Sequence, residues 1–407
     1  MHWEQVDDAI RPDALGMIFS GSSVVDSLNS AGYGRDAIIA MYTQADMSQF
    51  QSMAYSTDGG MTFTPYNDNP VLTQPYEARD PHMFYCRATK RWTMVLASAL
   101  EHEMDIYSSV DLRTWTKESS FGKGYGCQDG VWECPDLLEL PVRGENEKAW
   151  VLICNINPGG PFGGSATQYF TGTFDGHQFI CDTSKEVTKW MDYGKDHYAA
   201  VSWNSAPDGR HTMIAWMSNW QYANQVPTKQ YRSANTLPRD VKLYRGRDGQ
   251  LYLASTPSPE VEGARGSRQS LGTVSNGTRK SIPQDCRGAF ELDVTLTPGK
   301  NKQVSLILAN NLGEEVVMTV DTKENTFSMN RGKSGETLFS DDFNTVTSAP
   351  LATSEPQELR VFVDKSSIEV FEKEGRYTMT NIVFPNEPYS VVKVDGGKAT
   401  MTIYPIK

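Results

Sequence analysis

Arg79-Asp80-Pro81-His82-Met83-Phe84-Tyr85 sets a charged, proline-fixed turn directly before an apolar strand. Three other stretches repeat the device: Phe19-Ser20-Gly21-Ser22 before Ser23-Val24-Val25, Glu133-Cys134-Pro135 before Asp136-Leu137-Leu138, and Asp196-His197-Tyr198 before Ala199-Ala200-Val201. Their starts lie roughly 54 to 63 residues apart, close to the ~40 to 50 residues of a four-stranded propeller blade once loops are added. Between them run short apolar segments at residues 36–42, 51–55, 83–86, 92–97, 150–154 and 168–174, separated by polar turns. No long stretch has a 3.6-residue period, so this part of the chain reads as nearly all β. Ser56-x-Asp58-x-Gly60-x-x-Phe63 and Ser109-x-Asp111-x-x-x-Trp115 occupy equivalent places in successive units. Their Asp side chains are expected to hold turn amides over a packed aromatic, a structural role.

The character changes after residue 256. Ser255-Thr256-Pro257-Ser258-Pro259 and the Gly/Arg/Ser-rich run 262–277 read as a linker over 257–280. Beyond it, Phe290-Glu291-Leu292-Asp293-Val294-Thr295-Leu296 and Leu359-Arg360-Val361-Phe362-Val363 alternate strictly, with one face buried and one wet. The expected layout is a β-propeller over 1–256 and a β-sandwich over 281–407.

Bulk properties narrow the function. The net charge of −12 argues against nucleic acid or an anionic membrane as partner, since both need a basic footprint. No apolar run reaches the ~18 residues of a membrane span. Residues 1–8 carry neither the basic nor the apolar region of a signal peptide. The six cysteines form no CxxC pair and no metal-type spacing, and the Glu101-His102-Glu103-Met104-Asp105 run lacks the His-Glu-x-x-His spacing and reads as a solvated loop. No metal and no cofactor is expected.

A propeller brings the first strand of every blade to a central funnel, so Asp80 and Glu133 converge at one mouth. Two carboxyl groups there suit glycoside hydrolysis: one protonated to release the leaving oxygen, one ionised to answer positive charge on the sugar. For an isolated Asp-Pro, a turn carboxylate satisfied by backbone amides would be the simpler reading; five ordered motifs reverse it.

Phe19-Ser20-Gly21-Ser22, Arg79-Asp80-Pro81, Trp132-Glu133-Cys134-Pro135-Asp136, the run from Asp192 to Ala200 and Trp216-Met217-Ser218-Asn219-Trp220-Gln221-Tyr222 follow one another in an order that resembles glycoside hydrolase family 32, the levanases, inulinases, fructan β-fructosidases and invertases. Ser366-Ser367-Ile368-Glu369-Val370-Phe371 is similar to that family's C-terminal sandwich. The resemblance implies a five-bladed propeller, a retaining mechanism and a fructan or sucrose substrate. It implies Glu133 as general acid/base and Asp80 as transition-state stabiliser. Phe19, Ser20, Arg79, Cys134, Tyr198 and Trp216 would line the fructosyl pocket. It also implies an exo-acting enzyme placed in the periplasm or outside the cell.

One element of the resemblance is missing. The family's nucleophile lies in a Trp-Met-Asn-Asp-Pro-Asn-Gly motif in the first blade, and residues 1–407 contain none; Asn67-Asp68-Asn69-Pro70 falls in the wrong blade. His2-Trp3-Glu4 is similar to the end of that blade. The expectation is therefore a largely missing first blade, an impaired or inactive chain, and apolar sheet faces open to self-association. Two other readings compete: a non-catalytic carbohydrate-binding propeller, and a propeller hydrolase of the arabinanase or β-xylosidase type.

Overall fold

The computed structural model describes all residues except 1–3, 5, 204, 205, 207, 354 and 355, so His2 and Trp3 lie outside the described residues. The structure is built of antiparallel sheets and two short 3-10 turns, Pro259–Ala264 and Gln284–Cys286. Among the described residues no helix is long and apolar enough to cross a membrane.

Residues 17–257 form four blade sheets. Their innermost strands are Met17–Asp26, Ala78–Cys86, Val131–Pro141 and Tyr198–Ser202, so each repeated motif of the sequence opens one of them. Neighbouring blades close on apolar layers. Val24, Ile39 and Met41 pack with Met83, Met94 and Leu96. Val95 and Met104 pack with Trp132 and Leu152, and Leu138 and Val151 pack with Ala200, Met213 and Val241. In the first inner strand Phe19 and Val25 stay half exposed, as do Val201 and the adjoining Trp203 at the end of the last.

The two turn motifs behave as expected. Ser56 Oγ donates to Asp58 Oδ1 (2.7 Å), which accepts the amide of Thr62 (3.0 Å). Asp111 Oδ1 takes the amides of Arg113 and Thr114, and Trp115 is buried beneath.

Two expectations need revision. The 101–105 run is not a solvated loop throughout. Glu103–Ser109 is a strand, and Asp105 is fully buried, bound by Tyr76, Ser120 and Lys117. Stretch 257–280 is more than a linker. It holds Gln269–Ser275 and Thr278–Ser281, the outer strands of the two six-stranded sandwich sheets. Both lie at sheet edges and are mostly solvated, which explains their polar composition. The two alternating strands foreseen, Phe290–Pro298 and Gln357–Asp364, pair in one sheet and bury Phe290, Leu292, Val294, Leu296, Val361 and Val363 in one core with Met329 of the other sheet.

Candidate active site

All four inner strands carry the same irregularity at the same level. Ile18 and Gly21 face Gln44 and Tyr42, and Arg79 and His82 face Ala97 and Val95. Glu133 and Asp136 face Asn155 and Ile153, and Tyr198 and Val201 face Trp216 and Ile214. Each strand thus inserts one extra residue, a β-bulge. At three of the bulges a non-glycine residue takes the left-handed conformation: Asp80 (φ 62), Cys134 (φ 44) and Ala199 (φ 54). Such backbone costs of order 1–3 kcal/mol per residue and clusters at functional sites. Here it turns the mouth residues inward.

The bulges bring Asp80 and Glu133 together. Asp80 is buried, and its Oδ2 accepts the Cys134 amide at 2.9 Å. The Cys134 thiol lies 3.6 Å from the same oxygen, Ser20 donates to this carboxyl, and Thr43 Oγ1 takes the Asp80 amide at 2.9 Å. Glu133 Oε1 receives Arg79 Nε at 3.1 Å, and Glu133 Oε2 receives the hydroxyl of Tyr198. Arg79 also reaches Glu77 at 3.1 Å. Tyr198 meets Trp216 edge-on at 6.2 Å, and Trp216 lies 5.0 Å from the half-exposed Trp220.

Burial dominates the electrostatics. It pushes the Glu133 carboxyl above the usual carboxylate range; Arg79 pulls it down and Asp80 pushes it further up. Burial likewise raises Asp80 against the lowering by the Cys134 amide and Arg79. The Cys134 thiol, enclosed beside both carboxylates, is raised well above its ordinary value, so it packs as a neutral group. Both carboxyls are thus raised by burial, and a raised carboxyl such as Glu133 is what a general acid requires.

Sequence-predicted residues Phe19, Ser20, Arg79, Asp80, Glu133, Cys134, Tyr198 and Trp216 thus sit on the bulged mouths or on the strand beside them. Asn69, in the string nearest to a nucleophile motif, instead brackets the peptide of Met53 with its amide group. The sequence reading missed a supporting layer. Asn155 Nδ2 donates to Cys134 O (3.0 Å) and its Oδ1 accepts from Thr167 (2.7 Å) and the Ala200 amide (3.0 Å). Thr167 in turn meets His197 Nδ1 at 3.1 Å, and burial lowers that imidazole to about 3, keeping it neutral. A lone Asn or Thr inside an apolar strand was the available signal.

The raised Asp80 value fixes a sign. The folded state holds this proton more tightly than the unfolded chain, so its ionisation costs stability as pH rises above the ordinary carboxylate value near ~4. Asparagine tolerates the left-handed backbone and keeps an acceptor for the Cys134 amide. Asp80→Asn is expected to raise the melting temperature at pH 7, and the gain should shrink toward zero by pH 4. A lower melting temperature at pH 7 would contradict this.

A bulged funnel mouth with two converging carboxyls, an arginine on one of them and an aromatic wall is the arrangement that a propeller glycosidase uses. The description of the glycosyl hydrolases family 32 N-terminal domain fits residues 1–257 and that of the family's C-terminal domain fits 260–405, so the chain belongs to glycosyl hydrolase family 32. It is 38% identical over 425 residues to a levanase of Bacillus subtilis (strain 168), covering 100% of this chain and 62% of the levanase. It thus spans less than two thirds of that relative's length. It is 34% identical over 446 residues to an extracellular exo-inulinase of Aspergillus niger, covering 98% of this chain and 82% of that one. The crystal structure of exo-inulinase from Aspergillus awamori superposes with a TM-score of 0.88 at 32% identity, over 97% of this chain and 85% of that one. The β-fructofuranosidase of Schwanniomyces occidentalis complexed with fructosyl-erythritol gives 0.89 at 29% identity, over 100% and 86%.

Proposed function

We propose that this chain recognises the terminal β-fructofuranosyl unit of a fructan or of sucrose and directs cleavage of its glycosidic bond. The observation that carries the reading is the convergence of buried Asp80, held by the Cys134 amide, and Arg79-bound Glu133, whose carboxyl is raised by burial, at one funnel mouth. Glu133 delivers its proton to the leaving oxygen. Asp80 binds fructosyl hydroxyls and answers the positive charge that grows as the ring flattens. Arg79 keeps both carboxyls oriented, and Trp216 presents an aromatic wall to the sugar. Phe19 and Ser20 close the pocket from the first blade, and Tyr198 closes it from the last. The relatives named extracellular support a location outside the cytoplasm.

A retaining route also needs an ionised nucleophile on the opposite face of the sugar. Residues 1–407 carry no Asn-Asp-Pro-Asn string to supply it. Chain 1–407 is therefore expected to bind fructosyl ends while turning them over orders of magnitude more slowly than a three-carboxylate site.

Equilibrium binding of a short inulin oligosaccharide, followed by tryptophan quenching, tests the reading together with fructose release from inulin, levan and sucrose. Binding with slow release supports it. Ordinary release rates would overturn the nucleophile part alone. Preference for arabinan or xylan oligosaccharides would overturn the fructosyl assignment.

A further inference from the structure

The sandwich reaches into the propeller through a sealed set of hydrogen bonds. Arg331 lies on a sandwich strand, Thr326–Lys333, and is fully buried. Its Nη1 donates to Asp196 Oδ2 (2.5 Å) and to Ile382 O (2.9 Å), its Nη2 to the Tyr222 hydroxyl (2.9 Å), and its Nε to Phe343 O (3.0 Å). Tyr222 closes the triangle by donating to Asp196 Oδ1 at 2.6 Å. Asp196 also accepts the Ile382 amide at 2.9 Å, and its own amide donates to Thr380 O at 3.1 Å. Asp196, Tyr222 and Arg331 are each at most 1% exposed.

The two propeller members of this triangle stand beside the site. Asp196 stands two residues before Tyr198, which begins the bulged inner strand and whose hydroxyl meets Glu133. Tyr222 ends the turn that carries Trp220. Tyr198 pairs with Trp216, and the ladder breaks just past it, before Val201. With pairing on one side only, the anchor two residues upstream helps to fix where the Tyr198 side chain stands.

From these contacts we infer that Arg331 is a positioning residue: acting through Asp196 and Tyr222, it sets the Tyr198 hydroxyl on Glu133, so the sandwich tunes the proton affinity of the propeller's acid. The groups facing Glu133 are Arg79 and Asp80 from the second blade, Cys134 beside it and Tyr198 from the last. Among them only Tyr198 is tied to the sandwich through the strand it begins. A hydroxyl donor favours the ionised carboxyl, so its displacement raises the Glu133 midpoint.

The inference rests on the site proposed above but is tested without any sugar. In protein carrying 13C-labelled glutamate, the Glu133 carboxyl resonance is identified by its loss in Glu133→Gln and titrated from pH 3 to 8. Tyr198→Phe is expected to raise the midpoint by about half a pH unit or more. Tyr222→Phe removes one corner of the triangle yet keeps ring packing on Phe339 and Phe343. It is expected to shift the midpoint in the same direction, as is Arg331→Lys, which retains the charge but not the fork. Folded Tyr222→Phe and Arg331→Lys proteins that titrate like the parent would overturn the inference, whatever their loss of melting temperature. An unshifted Tyr198→Phe would overturn it too. Failure of the parent chain to bind fructan would refute the substrate reading and leave these titrations decisive.

Discussion

Replacing Glu133 by glutamine is expected to lower even the slow fructose release of chain 1–407 by up to about 10²- to 10⁴-fold, the usual contribution of a positioned general acid. The fructosyl cation is stabilised by its ring oxygen, so departure of the leaving group is limited by protonation of the bridging oxygen. Glutamine keeps the shape and an acceptor for Arg79 but has no proton to give. The parent's rate should fall as pH rises through the raised Glu133 value, while the variant's residual rate stays flat across that window. A fructoside whose leaving group departs unprotonated, such as a nitrophenolate, should lose far less. Initial rates on sucrose and on that fructoside across pH 4 to 8 check both statements. Equal losses on the two substrates would remove Glu133 from the acid role.

The second large effect concerns stability. Arg239 is buried between the domains, 2.8 Å from Asp192 Oδ2 and 2.8 Å from Glu369 Oε2. Thr380 Oγ1 accepts a further bond at 2.5 Å. Burial pushes Asp192 up, but Arg239 above all and the Gly194 amide overcome it and hold this carboxyl below the usual range. Glu369 goes the other way, raised by burial despite the same arginine. The charge pair that matters is therefore Arg239 with Asp192. Arg239→Met would leave two carboxyls enclosed without their cation, a change expected to remove about 3–5 kcal/mol of unfolding free energy at pH 7. Asp192 has the depressed value, so its share of the loss should shrink as pH falls below the ordinary carboxylate range. Urea unfolding at pH 7 and at about pH 2.5, below the ordinary carboxylate range, measures both; a loss under about 1 kcal/mol at pH 7 would contradict the assignment.

Much of the site was legible because its makers are local. Asp80 and Glu133 each stand beside a proline or a Cys-Pro at a strand start, and the bulges fall on those same motifs. The two alternating strands of the sandwich could be read directly, since one solvated face leaves a period of two. The edge strands Gln269–Ser275 and Thr278–Ser281 were not legible, because little of either is buried and their composition imitates a loop. Asp196 was visible as part of a motif, but its role depends on Arg331, 135 residues away, and no local pattern announces such a partner. Thr43 and Asn155 are polar residues near the ends of largely apolar strands, meaningful only once the neighbouring blade stands against them.

The one-residue insertions at the four inner strands also separate two demands on the same segment. Past each insertion, regular pairing resumes: His82 through Cys86 with Val95 through Arg91, and Asp136 through Pro141 with Ile153 through Lys148. The lower strand can keep its packing while the residue above it changes identity. Aspartate, glutamate, tyrosine and phenylalanine occupy these mouths at no cost to the ring beneath. The funnel mouth can therefore vary side chains above an undisturbed ladder, except where a left-handed residue such as Asp80 narrows the choice to aspartate, asparagine or glycine.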